Sequence, residues 1–319
     1  MDRIGSEFED SVTGAQEGSH SHAAAEGGYG MAATAMGHPG IPAQLLQLNE
    51  LDVLYQAEAQ ALWTFMRPAG RPSFTPPMLG DFEDWQRLIS DSFGPDQVPL
   101  KYLILGSRAP GVFCYGGDLA LFRQLILDHN RDGLVRYGHR CCQILHRNIN
   151  TLHLPILTIG LVQGAALGGG FEALLSFDTI IAERSATFGL PEVMFGLFPG
   201  MGAHALLSRK LGSAMADRII TSNRTYSAQE MFDLGIVHQI AEDGEGVEAT
   251  RDFIRKNDRR HSGLVAARRA TKVSWALELS ELTRITEIWA DAALSLGEAD
   301  LKLMERLASA QQRGARKAA

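Results

Sequence analysis

Hydrophobic positions along the chain follow two rhythms. Short continuous apolar runs occur at Leu51–Tyr55, Ala61–Met66, Leu100–Gly106 and Pro155–Val162, each bounded by polar or glycine-containing stretches. Runs of this length, rich in β-branched and aromatic residues, read as strands buried in a sheet. Elsewhere apolar residues recur every three or four positions, as expected of helices with one buried face. Phe82, Trp85, Leu88 and Ile89 mark such a face within 82–93, and Leu121, Leu125, Leu134, Tyr137, Cys141, Ile144 and Leu145 mark another between 119 and 152, interrupted near Asn130–Gly133. Residues 203–211 and 214–221 are expected to be helical, and Ser227-Ala228-Gln229-Glu230 has the form of a capping box. Ser185–Gly189 reads as a short extended piece and Ile236–Ile240 as a closing strand. From about Gly246 onward helical spacing persists through Leu279, Leu282, Ile285, Ile288, Trp289, Leu294 and Leu301. Residues 67–80, with Pro68, Pro72, Pro76 and Pro77, are expected to be loop or edge.

Strands alternating with helices, followed by a helical end, imply an α/β core over 43–245 and a C-terminal helical region over 246–319. Residues 1–42, rich in Gly, Ala, Ser and His and without periodicity, are expected to form a flexible lead-in. Composition narrows the function classes. A net charge of −7 argues against nonspecific nucleic-acid binding, which needs a basic face. No run of about 18 apolar residues predicts a membrane span, and no basic segment followed by an apolar one marks a secretory signal. The three cysteines, Cys114, Cys141 and Cys142, lack metal-ligand spacing. Reduced thiols and a cytoplasmic location are expected, with no cofactor and no metal.

The candidate chemistry lies in 155–202. A buried strand runs into Gly164 and then Gly168-Gly169-Gly170, directly before helical spacing at Phe171–Phe177. Glycines between a strand and a helix let the backbone approach a ligand closely, and the first helical N–H groups have no partner within the helix. Glu172 falls in that first turn, and Pro191-Glu192 opens a later turn expected to return to the same rim. Two glutamates beside an anion-stabilising turn are the parts needed to move protons next to a carbonyl. Either glutamate alone would be read as a solvated helix start; together in so apolar a stretch they read as functional. Spacing does not assign base and acid between them. A second glycine pair, Gly116-Gly117, precedes Asp118, which can cap the following helix.

The sequence Ala-Leu-Gly-Gly-Gly-Phe-Glu, then Phe-Gly-Leu-Pro-Glu and Gly-Leu-Phe-Pro-Gly-Met-Gly, resembles the crotonase (enoyl-CoA hydratase/isomerase) superfamily, and in detail its bacterial diffusible signal factor synthases. The resemblance runs from about Leu48 to about Arg313. It implies a spiral of ββα turns, a trimer built through the C-terminal helices, and an oxyanion hole from Gly117 and Gly169. It further implies dehydration of a 3-hydroxyacyl thioester on acyl carrier protein, followed by release of a cis-2-unsaturated fatty acid used in quorum sensing. Gly116, Met201 and Trp289 are the candidate substrate-binding residues, the latter two as walls for the acyl tail. Leu119-Ala120-Leu121-Phe122 lacks the lysine that some CoA-using members carry there, and Ala203-His204-Ala205 replaces a more polar run. Both departures suit a lipid-lined pocket. His204 itself reads as structural. The competing readings are an enoyl-CoA hydratase and a binding module of the same fold that docks a partner such as a sensor-kinase receiver domain.

Overall fold

The structure, a computed structural model, describes residues 38–318, with side chains through residue 310. The segment expected to be flexible, 1–42, lies mostly outside the described residues.

The chain winds in repeated turns; after the first, each lays one strand in a large sheet and the next in a small one before a helix returns. The first turn is β1 (Leu51–Gln56), β2 (Ala61–Met66) and α1 (Pro76–Ser92), with both strands in the large sheet. Next come β3 (Tyr102–Ser107), β4 (Val112–Cys114), α2 (Leu119–Leu127) and α3 (Arg131–Ile149). The third turn is β5 (Leu157–Val162), β6 (Ala165–Leu167) and the short α4 (Gly169–Leu174). The fourth is β7 (Thr179–Glu183), β8 (Thr187–Gly189), a 3₁₀ turn at Glu192–Phe195, α5 (Ala203–Leu211) and α6 (Ser213–Thr221). β9 (Thr225–Ser227), α7 (Ala228–Asp233) and β10 (Gln239–Ala241) close the core. Four helices follow: α8 (Gly246–Asn257), α9 (His261–Ser274), α10 (Leu279–Leu294) and α11 (Glu298–Ala318). This is the spiral of ββα turns with a helical C-terminal region.

The large sheet has the order β1-β2-β3-β5-β7-β10 and the small one β4-β6-β8-β9. All pairings are parallel except β1 with β2 and β8 with β9. β2, β3 and β5 are buried along their whole length because both faces of the large sheet are covered, which explains their continuous apolar character. One face meets the main core with the small sheet and α1 to α5. The other packs on α8 and α9 through Val247, Ile254 and Val265.

Two local expectations change. Pro76 and Pro77 are not loop but the first helical positions of α1, where a missing N–H is harmless and φ is already suitable. Thr75 caps that helix by accepting from the Met78 N–H at 3.3 Å. The closing strand is Gln239–Ala241 rather than 236–240. Ile236 and Val237 are buried, but their N–H groups bond to Met231 O and so close α7 instead of joining the ladder. The capping box at Ser227 and Glu230 is present.

Candidate active site

Three turns converge because three neighbouring parallel strands end together. β6 pairs with β4 on one side and with β8 on the other, with Val112 beside Ala165 and Ala165 beside Thr187. The chain leaving β4 enters Gly116-Gly117, that leaving β6 enters Gly168-Gly169, and that leaving β8 reaches Pro191-Glu192. Sequence distance is thereby converted into one rim. A Cβ on Gly116, whose φ is +89°, would stand 2.5 Å from Gly169 N, so only glycine lets the two turns touch. Among the described residues, neither the Gly117 nor the Gly169 N–H has a hydrogen-bond partner.

The Gly117 turn is fastened from behind. The Tyr137 hydroxyl donates to Phe74 O at 2.5 Å and accepts from the Asp118 N–H at 3.3 Å. The Phe122 ring lies against Gly117, and Asp118 caps α2 through Leu121 N while pairing with Arg71 at 2.5 Å.

Glu172 is buried, 1% exposed, and its Oε1 accepts three backbone N–H bonds, from Met201, Gly202 and Ala203 at 2.9, 2.8 and 2.9 Å. Those donors are the entry and first residue of α5, so the carboxylate sits at the positive end of that helix. Burial pushes the Glu172 carboxyl above its ordinary value, and the three N–H groups pull against that rise. Glu192 is held differently. Its Oε2 is buried without a partner among the described residues, and a Cβ on Gly168 would lie 2.6 Å from its Oε1, which places the carboxyl beside the second glycine turn. Burial first, and the negative charge of Glu172 second, push its pKa well above the carboxylate range. Of the two carboxyls, Glu192 therefore holds the proton more tightly.

Both glutamates, Gly117, Gly169, Met201 and Trp289 line one cavity of about 720 Å³, counting its open mouth. Gly116 does not line it; its place is against Gly169. Trp289 is 6% exposed, packs edge-on against Phe122 with centroids 5.0 Å apart, and adjoins Gly200. His204 lies outside the cavity, edge-on to Phe198. Sequence reasoning missed Thr286, Leu307 and the positioning role of Tyr137. Thr286 and Leu307 sit on C-terminal helices that only folding brings over the glycine turns. Tyr137 carried a signal, a hydroxyl on an otherwise apolar helix face, but not its target. Cys114, Cys141 and Cys142 are free and buried, and burial pushes the Cys114 and Cys142 thiols up to about 12. No thiolate nucleophile is therefore on offer. Among the described residues no cluster of three His, Cys, Asp or Glu is placed to hold a metal, and no helix is long and apolar enough to cross a membrane.

A profile of the enoyl-CoA hydratase/isomerase family matches residues 95–293, more than half of the chain. The chain belongs to that family. Curated relatives include a probable mitochondrial enoyl-CoA hydratase 2 of Arabidopsis thaliana, 30% identical over 57% of this chain and 60% of its own length. A short-chain-enoyl-CoA hydratase of Clostridium acetobutylicum is 36% identical over 48% of this chain and 56% of its own. The chain thus spans between half and two thirds of these two relatives' lengths. Among solved structures, an enoyl-CoA hydratase from Bacillus halodurans superposes with a TM-score of 0.67, at 20% identity, covering 82% of this chain and all of that one. DspI of Pseudomonas aeruginosa superposes with a TM-score of 0.59, at 21% identity over 73% of this chain and 90% of its own. At such identities these likenesses establish the shared fold. The glycine turns, Glu172, Glu192 and most of the cavity wall of this family member fall inside the matched stretch.

Proposed function

We propose that this protein is an acyl-thioester dehydratase with thioesterase activity, converting a 3-hydroxyacyl group on acyl carrier protein to a free 2-unsaturated fatty acid. The observation that carries the reading is the unequal pair of glutamates facing one cavity beside two unpartnered glycine N–H groups. A thioester carbonyl between Gly117 and Gly169 gains stabilisation as it becomes an enolate, each such donor being worth about 10²–10³ in rate. With the shared proton on Glu192, Glu172 removes a proton from C2. The C3–O bond then breaks, and Glu192 protonates the departing hydroxyl, which leaves as water. The pair is now reversed, and the reversed pair suits hydrolysis. Glu192 takes a proton from water as its oxygen bonds to C1; the C–S bond breaks and Glu172 protonates the thiolate. Both carboxyls return to their starting states, with one water released and one consumed.

Carrier protein rather than CoA, the cis double bond, the signalling role, a receiver-domain partner and a trimer through the C-terminal helices all rest on the resemblance to diffusible signal factor synthases. The family match favours a second reading, hydration or isomerisation of an enoyl-CoA. Incubation with 3-hydroxyacyl-carrier protein and, separately, with 3-hydroxyacyl-CoA, with products identified by mass spectrometry, separates the two. Free 2-enoic acid together with unacylated carrier protein is expected. Reversible dehydration of 3-hydroxyacyl-CoA to the enoyl-CoA without release of acid would overturn the first reading in favour of the second.

A further inference from the structure

A second cavity lies behind the first. It encloses about 460 Å³, counting its opening, and its accessible wall is almost wholly hydrocarbon and sulfur. Leu79, Phe82 and Trp85 of α1 form one side, and Cys141, Ile144 and Leu145 of α3 the other. Gln86 and Asn148 also border it, their amide N–H groups turned onto Ile144 O at 2.8 Å and Ser176 Oγ at 2.8 Å, while Gln86 Oε1 and Asn148 Oδ1 are buried without a partner among the described residues. The two cavities are consecutive along the same elements. Tyr137 and Gly138 of α3 line the first, while Cys141, Ile144, Leu145 and Asn148 line the second at helical spacing. Likewise Glu172 faces the first and Ala173 the second. From Gly138 to Asn148 the helix advances roughly 15 Å, more than a short acyl group needs.

Among the described residues, Met201 alone borders both cavities. Its backbone is fixed, the N–H donating to Glu172 Oε1 and the carbonyl accepting from Cys142 Sγ. Its side chain has no such anchor among the described residues. It is unbranched, with three rotatable bonds and a soft thioether, and its sulfur would lie 2.8 Å from a Cβ on Gly169, against the glycine turn.

We infer that the rear cavity is the site of the distal half of a medium-chain or long-chain acyl tail, with Met201 the movable partition that admits it. This rests on the proposed acyl-thioester reaction and adds to it where the tail goes and what measures its length. The thioester end stays at Gly117, Gly169 and the two glutamates, Met201 swings aside, and the tail passes between α1 and α3. Occupancy of an apolar cavity by alkyl carbon is favourable by about 0.8 kcal/mol per buried CH₂, which corresponds to roughly fourfold in affinity for each added methylene. Beyond the length that the front cavity holds, chain-length preference is then set by residues of α1 and α3, distant from the proton-transfer groups.

Two measurements test it. In Ile144→Phe, which fills the rear cavity at a half-buried position, the ratio of kcat/KM for a twelve-carbon substrate to that for a four-carbon one should fall at least tenfold, and Ile144→Ala should shift preference toward longer chains. An unchanged ratio in both variants overturns the inference. The second measurement needs no turnover. A fatty acid brominated at its terminal carbon should quench Trp85 saturably, with most of the quenching lost in Trp85→Phe and in Ile144→Phe. Quenching unaffected by either substitution would place the tail in the front cavity beside Trp289 and overturn the inference. If acyl thioesters of every length go unprocessed, the proposed reaction fails, while the quenching still decides whether the rear cavity takes an alkyl chain.

Discussion

The two glutamates are equivalent on paper and unequal in place. Glu172 spends one oxygen on three N–H groups, whereas Glu192 has a buried oxygen with none. Glutamine at either position keeps the volume but removes the proton-accepting carboxylate, so Glu172→Gln and Glu192→Gln should each lower turnover by about 10²–10⁴ or more. The same substitutions part company in stability. A carboxyl whose folded pKa is raised keeps its proton while the unfolded chain releases it, so native stability falls as pH rises above the ordinary value of 4.5 toward the folded one. Glutamine at 192 removes that dependence. Glu192→Gln should therefore unfold at a higher temperature than the parent at pH 8, with the advantage shrinking toward pH 4. Thermal melts across that range check it, and an advantage that does not change with pH would refute the raised pKa of Glu192.

At the level of single elements, the glycine triplet was legible from its neighbours, but its three members are not alike. A Cβ on Gly170 would stand 2.2 Å from the Cys114 carbonyl oxygen, which belongs to a strand and cannot move aside. A Cβ on Gly169 would meet chiefly the Met201 sulfur at 2.8 Å, and a methionine side chain can yield. Gly170→Ala should thus lose soluble folded protein or several degrees of melting temperature. Gly169→Ala should fold nearly as the parent does but react more slowly, because the methyl group enters the cavity. Circular dichroism melts beside turnover distinguish the two, and equal behaviour would contradict the packing described. Helix ends illustrate the reverse case. Proline read as a breaker at 76 and 77 is a helix starter, because Thr75 supplies the cap and the ring needs no N–H there.

For the molecule as a whole, the C-terminal helices complete the cavity rather than decorating the core. Thr286 donates to Gly200 O at 2.8 Å, Trp289 rests on Gly200 and Phe122, and Leu307 joins the wall. Trp289→Ala should cost about 3–5 kcal/mol, as expected for a buried large side chain. It should also alter the preferred acyl length, since the same ring faces the cavity. Urea unfolding and a chain-length series measured on one preparation test both. Full stability with unchanged preference would show that the ring serves neither purpose.

What could be read from the chain alone was local. The apolar runs, the helical faces, the capping box at Ser227, the two glycine turns and the pair Glu172 and Glu192 each announce themselves within a few residues, because backbone freedom and hydrophobic period act over that distance. The spiral itself was legible only through resemblance to a known family. Folding decided what depends on residues far apart in sequence. Parallel pairing of β4, β6 and β8 sets Gly117, Gly169 and Glu192 on one rim, since strand register is fixed by hydrogen bonds between distant segments. The N–H groups of residues 201–203 make Glu172 differ from Glu192, because burial and hydrogen bonding, not residue type, determine which carboxyl keeps a proton. The cavity behind Met201 exists only once α1 and α3 pack together, leaving space that neither helix encodes by itself.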